Sequence, residues 1–209
     1  MGKATITKEQ ISTLEKVTFP GKIYIVDSMA KVKSALAYLN KCERLGFDTE
    51  TRPSFKRGVF YKVSLMQIST MNECFLFRLN RVGIPEILKE FLENDNIIKI
   101  GISLRADFGM LHKLTDTIPH GFIDLQALAP QYGIGDASLQ KIYAIIFDRR
   151  ISKVQRLTNW EAAELTAAQQ EYAAIDAWAC LKIYNHLESK GFYATESKYY
   201  CDEDIQPQV

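Results

Sequence analysis

Every segment of this chain that reads as a β-strand lies before residue 103, and every long segment after it reads as a helix. Strands first and helices afterwards argue for one mixed sheet with helices packed around it, an α/β fold with a helix-rich C-terminal half. The strand segments are Lys22–Val26, Arg44–Thr51, Lys62–Ser69, Glu73–Leu79 and Ile97–Ile102, with Thr70-Met71-Asn72 as the turn between the third and fourth. Ile97–Ile102 is apolar throughout apart from Lys99, which suits a central strand covered on both faces. Ser28 is placed to cap a helix over Met29–Leu39, and Pro85 to open one that runs to Leu92. The later helices are Arg105–Leu114, Leu125–Tyr132, Ser138–Ile146 and Thr166–Glu188. Residues 1–21 read as an N-terminal arm with a short helix over Lys8–Lys16. Residues 22–192 read as the main domain and 193–209 as a polar C-terminal tail, frayed from Thr195.

A chain of 209 residues can bury one sizeable core. Its net charge of +1 gives no broad basic footprint, yet a cluster of active-site acids would hide a local basic rim in that sum. Cys42, Cys74, Cys180 and Cys201 are scattered, with no C-x-x-C pair, which argues against a zinc site and for reduced thiols. The start, Met1 to Gln10, is polar, and no run approaches the roughly 18 apolar residues of a membrane span. The expectation is an intracellular, cytoplasmic protein, or a nuclear or organellar one in a source with such compartments.

Four acids stand in apolar settings and need a reason to be there. Asp48 and Glu50, in Phe47-Asp48-Thr49-Glu50-Thr51, are two apart on a strand and so project from one face. Taken alone, they also suit a solvated strand end. Asp107 follows the apolar strand at the start of a helix, where the helix N-terminus or Arg105 could account for it. Tyr172 and Asp176 are four apart on a helix and share a face among Ala173, Ala174, Ile175 and Ala177. Tyr172 alone could be a core aromatic with a satisfied hydroxyl. Together, the carboxylates could converge to hold two divalent ions, and all-oxygen ligation suits Mg²⁺ or Mn²⁺. Such a centre cuts phosphodiester bonds, with the phenol placed to orient the attacking water. His112, His120 and His186 are spread apart and read as surface or capping residues, and Asp124 reads as a helix cap.

Substrate-facing candidates come from charge. Arg52, Lys56, Arg57 and Lys62 flank the loop after the acid pair, and Arg149, Arg150, Lys153 and Arg156 precede Trp160. Phosphate-binding cations beside an aromatic are what a single-strand channel uses. A solvated basic loop and a core-anchoring Trp160 are the alternatives.

These segments resemble the tyrosine-containing branch of the DEDD superfamily of 3′-5′ exonucleases. The three motifs are Phe47-Asp48-Thr49-Glu50, Asp107, and Tyr172 with Asp176. The likeness runs from about Lys22 to Glu188 and is closest to the Werner-type exonuclease domain and ribonuclease D. Gly58 with Lys62-Val63-Ser64-Leu65-Met66-Gln67-Ile68, and Lys153, Arg156, Asn159-Trp160, Leu165-Thr166 and Gln169, resemble the flanks of those motifs. The resemblance implies an RNase H-like fold and nucleoside 5′-monophosphates released from a 3′ end of DNA or RNA. It implies that Asp48, Glu50 and Asp176 hold the ion that activates water. Asp48 would bridge to a second ion near Asp107, and Tyr172 would position the nucleophile. One departure is Glu161-Ala162-Ala163-Glu164, where ribonuclease D carries an Arg. Neither a helical nucleic-acid-binding domain nor a helicase follows in this sequence, so processivity should be low unless a protein partner or oligomer supplies grip. Two rival readings share the fold: a silent nucleic-acid-binding adaptor, and a phosphodiesterase for short oligonucleotides.

Overall fold

The computed structural model describes residues 2–189 and 191–201. Six strands form the main sheet: β2 (Lys22–Val26), β3 (Arg44–Thr51), β4 (Val63–Ser69), β5 (Glu73–Phe77), β6 (Ile98–Gly101) and β7 (Phe122–Asp124). They lie side by side in the order β2-β5-β4-β3-β6-β7. The pairs β3–β4 and β4–β5 are antiparallel, and the remaining pairs are parallel. A mixed sheet therefore forms as expected, with β6 inside it. A smaller sheet pairs β1 (Lys3–Ala4) with β8 (Tyr200–Cys201).

The helices are α1 (Lys8–Ser12), α2 (Met29–Leu39), α3 (Leu79–Val82), α4 (Glu86–Glu93), α5 (Leu104–Leu111), α6 (Leu125–Leu128), α7 (Leu139–Phe147) and α8 (Ala167–Glu188). Their starts follow the sequence. The Ser28, Ser138 and Thr166 hydroxyls each accept from the backbone N–H three residues on. Thr166 and Gln169 complete a capping box. Among the described residues, no helix is long and apolar enough to cross a membrane.

Two apolar layers cover the sheet. Leu45 and Phe47 of β3 point to the layer that contains α2, α4 and α5. The opposite face of β3 carries Gly46, Asp48 and Glu50, by the two-residue period of a strand. The long helix α8 crosses that face over β3, β4, β5 and β6. Gly46 makes this approach possible, because a Cβ there would lie 1.9 Å from the Ala177 carbonyl oxygen.

Residues at both ends of the chain pack onto the body. Ala4, Ile6, Ile11 and Val17 enter the same core layer as Phe192 and Tyr199. The arm is therefore part of the fold, since its apolar residues fill space beside α7 and α8 that polar loops could not. The predicted fraying from Thr195 is corrected up to Cys201, because Tyr199 is buried and Tyr200–Cys201 pair with the start of the chain. The acidic stretch from Asp202 lies outside the described residues.

Candidate active site

The site grows from a notch in the sheet. β6 pairs with β3 only as far as Gly46–Ile100, while β3 continues to Thr51 on β4 alone. Beyond that point one edge of β3 is free, and a cavity of about 530 Å³ opens against it. A β-bulge follows at Glu50/Thr51, a device that bends a strand and re-aims its side chains. The Ser64 hydroxyl donates to the Glu50 carbonyl there, at 3.3 Å.

Three carboxylates meet on the α8 side. Oxygens of Asp48, Glu50 and Asp176 all lie within 4.8 Å of one another. Full charges that close would repel pairwise by roughly 3 kcal/mol at an effective dielectric constant of about 20. The consequence is visible in their acidities. Burial, then Asp176 and Glu50, hold Asp48 well above the usual carboxylate range. Burial and the neighbouring acids push Glu50 up to about 9, with Arg156 opposing. Burial raises Asp176 to about 7, against the Tyr172 hydroxyl, Lys153 and Arg156, which favour its charged form. Tyr172, nearly buried one turn away, is pushed up by burial and by these acids.

Asp107 reaches the same cavity from the other face. It stands in the first turn of α5, and its Oδ1 accepts from the Thr49 hydroxyl at 2.5 Å. Burial raises its pKa to about 6, with the Thr49 bond pulling down. The turn that leads into α5 is strained, since Ser103 sits at φ 59°, ψ 31°. Asp124 supports it: its carboxylate accepts from Ser103 N at 3.1 Å, Leu104 N at 2.9 Å and Gln126 N at 2.9 Å. The sequence reading of Asp124 as a cap of the following helix holds, but its larger task is to brace the helix that carries Asp107. Thr49 and Ser103 gave no signal of their own in the sequence.

Of the proposed substrate contacts, Lys153 and Arg156 line the acidic cavity, whereas Arg57 and Lys62 are exposed outside it. Burial and the nearby Arg156 lower the Lys153 ammonium from its ordinary value. Arg149 and Arg150 turn elsewhere, to Glu15 at 2.7 Å and to the Leu14 carbonyl at 2.8 Å. Trp160 is corrected outright. It is 0% exposed, packs in the core with Leu65, Leu76 and Tyr172, and cannot stack on a base. The turn it anchors is pinned on both sides: Gln169 donates to Thr158 and to the Asn159 carbonyl, and Arg78 and Arg81 donate to the Ala162 and Ala163 carbonyls. All four cysteines are free thiols.

The profile of the 3′-5′ exonuclease family matches residues 23–191, nearly the whole span of the six-stranded sheet and its helices. The chain belongs to this family. It is 33% identical over 150 residues to a 3′-5′ exonuclease of Arabidopsis thaliana, an alignment covering 69% of this chain and 52% of that protein. It is 28% identical over 200 residues to the bifunctional 3′-5′ exonuclease/ATP-dependent helicase WRN of Mus musculus, covering 90% of this chain and 14% of that one. The chain thus spans about half of the first relative and a small part of the second. Among solved structures it is similar in fold to Escherichia coli RNase D, with a TM-score of 0.71 at 22% identity, covering 81% of this chain and 46% of that one. These likenesses place the RNase H-like fold and the DEDD superfamily on firm ground. The packed core reaches beyond the matched residues at both ends.

Proposed function

We propose that this chain is a two-metal-ion 3′-5′ exonuclease that releases nucleoside 5′-monophosphates from the 3′ end of DNA or RNA. The observation that carries the reading is the set of three carboxylates within 4.8 Å, facing Lys153 and Arg156 across one cavity. The donor set fits a hard divalent cation. It is all oxygen, the acids oppose one another's ionisation, and among the described residues no Lys or Arg forms an ion pair with them. Asp48, Glu50 and Asp176 would hold one Mg²⁺ or Mn²⁺, and Asp48 with Asp107 a second. When bound, such ions acidify water and neutralise charge on the phosphate.

The protein's own groups do the rest. Lys153 and Arg156 hold the scissile phosphate over the acids. The Tyr172 hydroxyl, next to Asp176, orients the attacking water. Thr49 fixes one oxygen of Asp107 and leaves the other free. The strand, the helix and the braced turn set these groups before substrate arrives, so the rate derives from positioning and electrostatics.

The test is a gel time course on 5′-labelled single-stranded DNA, RNA and a recessed-3′ duplex, with Mg²⁺, Mn²⁺ or EDTA. Asp48→Ala runs alongside. A metal-dependent ladder shortening from the 3′ end, absent in the variant, is expected. Binding without any ladder would favour the adaptor reading, and cleavage confined to the shortest strands the oligonucleotide phosphodiesterase.

A further inference from the structure

Gln67 sits in the middle of β4 and is 0% exposed. Both polar atoms of its amide, Oε1 and Nε2, are buried and bond to nothing. Among the described residues, no other side chain buries two polar atoms without a bond for either. Buried amides are as a rule bonded, because a donor and an acceptor taken out of water without partners cost stability. The chemistry above gives this residue no task.

Strand register names its partner. Gln67 stands directly opposite Asp48 on β3 and Leu76 on β5. Opposite residues of an antiparallel pair share a face, with Cβ atoms about 5 Å apart, so the Gln67 amide and the Asp48 carboxylate are neighbours beneath α8. The other neighbours on that face offer it little. Leu65 and Leu76 pack with Ala173 and Ala174 of α8. Gly46, opposite Ser69, has no side chain. Ser69 itself turns its hydroxyl to the Thr70 and Glu73 carbonyls, at 2.8 and 3.3 Å. Glu50, opposite Leu65, lies a step farther along the strand. Asp48 in turn lacks the hold that its fellow acids have. Asp107 accepts from the Thr49 hydroxyl, and Asp176 has the Tyr172 hydroxyl beside it. Among the described residues, no side chain donates to Asp48.

We propose that Gln67 is the positioning residue of Asp48: when cations are bound, its Nε2–H donates to an Asp48 carboxylate oxygen and sets how that carboxylate turns toward them. The strand fixes where Asp48 stands, and the amide fixes its direction. This rests on the cation-binding part of the reading above and deepens it by naming the group that orients the shared ligand. A neutral amide suits the task. A lysine or arginine in this place would neutralise Asp48 and compete with the cations, whereas an N–H dipole directs the carboxylate and leaves its charge to the metal.

The experiment uses the full chain. Gln67→Met keeps the length of the side chain and removes both polar atoms. The melting temperature in EDTA and the Mn²⁺ affinity by calorimetry are read side by side at one pH. Gln67→Met is expected to leave the melting temperature equal or higher, by up to about 2 °C, because an unbonded amide leaves the core. It is expected to weaken Mn²⁺ binding about tenfold, the usual loss when a group that orients a metal ligand is removed. A residue that only fills the core would instead lower the melting temperature. Leu76→Met, on the other side of Gln67, controls for packing and should leave Mn²⁺ affinity unchanged. Wild-type Mn²⁺ affinity in Gln67→Met, a lowered melting temperature, or equal weakening in Leu76→Met would overturn the assignment. So would failure of both Gln67→Met and Gln67→Leu to fold, since the amide would then be holding the core. The two readings fail distinguishably. Mn²⁺ binding that Asp48→Ala abolishes and Gln67→Met leaves intact keeps the metal site and removes Gln67, whereas a wild-type protein that takes no Mn²⁺ removes both.

Discussion

The two faces of β3 build their halves of the site in different ways. On the α8 face, Asp48, Glu50 and Asp176 come from one strand and one 22-residue helix in direct contact through Gly46. Their placement follows from two rigid elements and leaves little to adjust. On the other face, Asp107 is carried by an eight-residue helix entered through a strained Ser103, and it depends on Thr49 and Asp124 for its position. A carboxylate on regular elements is fixed by packing, and one on a loop-borne helix is fixed by hydrogen bonds. The first should respond to substitution all at once and the second by degrees.

Asp48→Ala or Asp176→Ala breaks the rigid half most severely. Turnover should fall by about a thousandfold or more, with a native circular dichroism spectrum. Cleavage at the wild-type rate in either variant would dismiss the site. Tyr172→Phe leaves the acids in place and should slow turnover by about a hundredfold through a misplaced water. Mn²⁺ affinity by calorimetry should barely move. Asp124→Ala tests the other half: it frees three backbone N–H groups and should cost about 1–2 kcal/mol of stability. Turnover should drop about tenfold, with a higher Mn²⁺ concentration at half-maximal rate that Asp124→Asn partly rescues. If stability falls but the Mn²⁺ dependence stays put, Asp124 merely caps.

The smallest effect is on the melting temperature. Asp107, Asp176 and Glu50 take up protons at about 6, 7 and 9 in the folded chain, above the ordinary carboxylate range near 4. The folded state therefore binds more protons than the unfolded one between these limits, and stability falls as pH rises. In EDTA the melting temperature should decline from pH 5 to pH 9, and Asp48→Asn should flatten the slope. Added Mn²⁺ should stabilise most at the alkaline end, where the ligands are ionised. A melting temperature that climbs with pH in EDTA would contradict the buried, mutually repelling arrangement.

The sequence carried the strands well because alternation and apolar runs are local signals. β2 and β3 and the caps at Ser28, Ser138 and Thr166 stand where their residues put them. The four motif acids stood out because an acid in an apolar setting is costly unless it has a partner, and the structure brings all four to one cavity. What escaped depends on distant partners. β7 is three residues long and exists because β6 pairs with it. Trp160 looks the same in sequence whether it faces a base or a core, and only the packing of Leu65, Leu76 and Tyr172 around it decides. Thr49 bonds a residue 58 positions away. The pairing of Lys3–Ala4 with Tyr200–Cys201 joins segments at opposite ends of the sequence.

That last pairing has a bearing on how such a unit can be handled by evolution or in the laboratory. Its entry and exit strands run side by side in opposite directions, so the unit could be spliced into a surface loop of a host chain and leave the host's own backbone nearly closed. The same clasp sets a limit on trimming. A fragment cut to residues 23–191 would carry every motif acid yet strip Ile6, Ile11, Val17 and Tyr199 from the core. It should melt at a lower temperature than the longer chain.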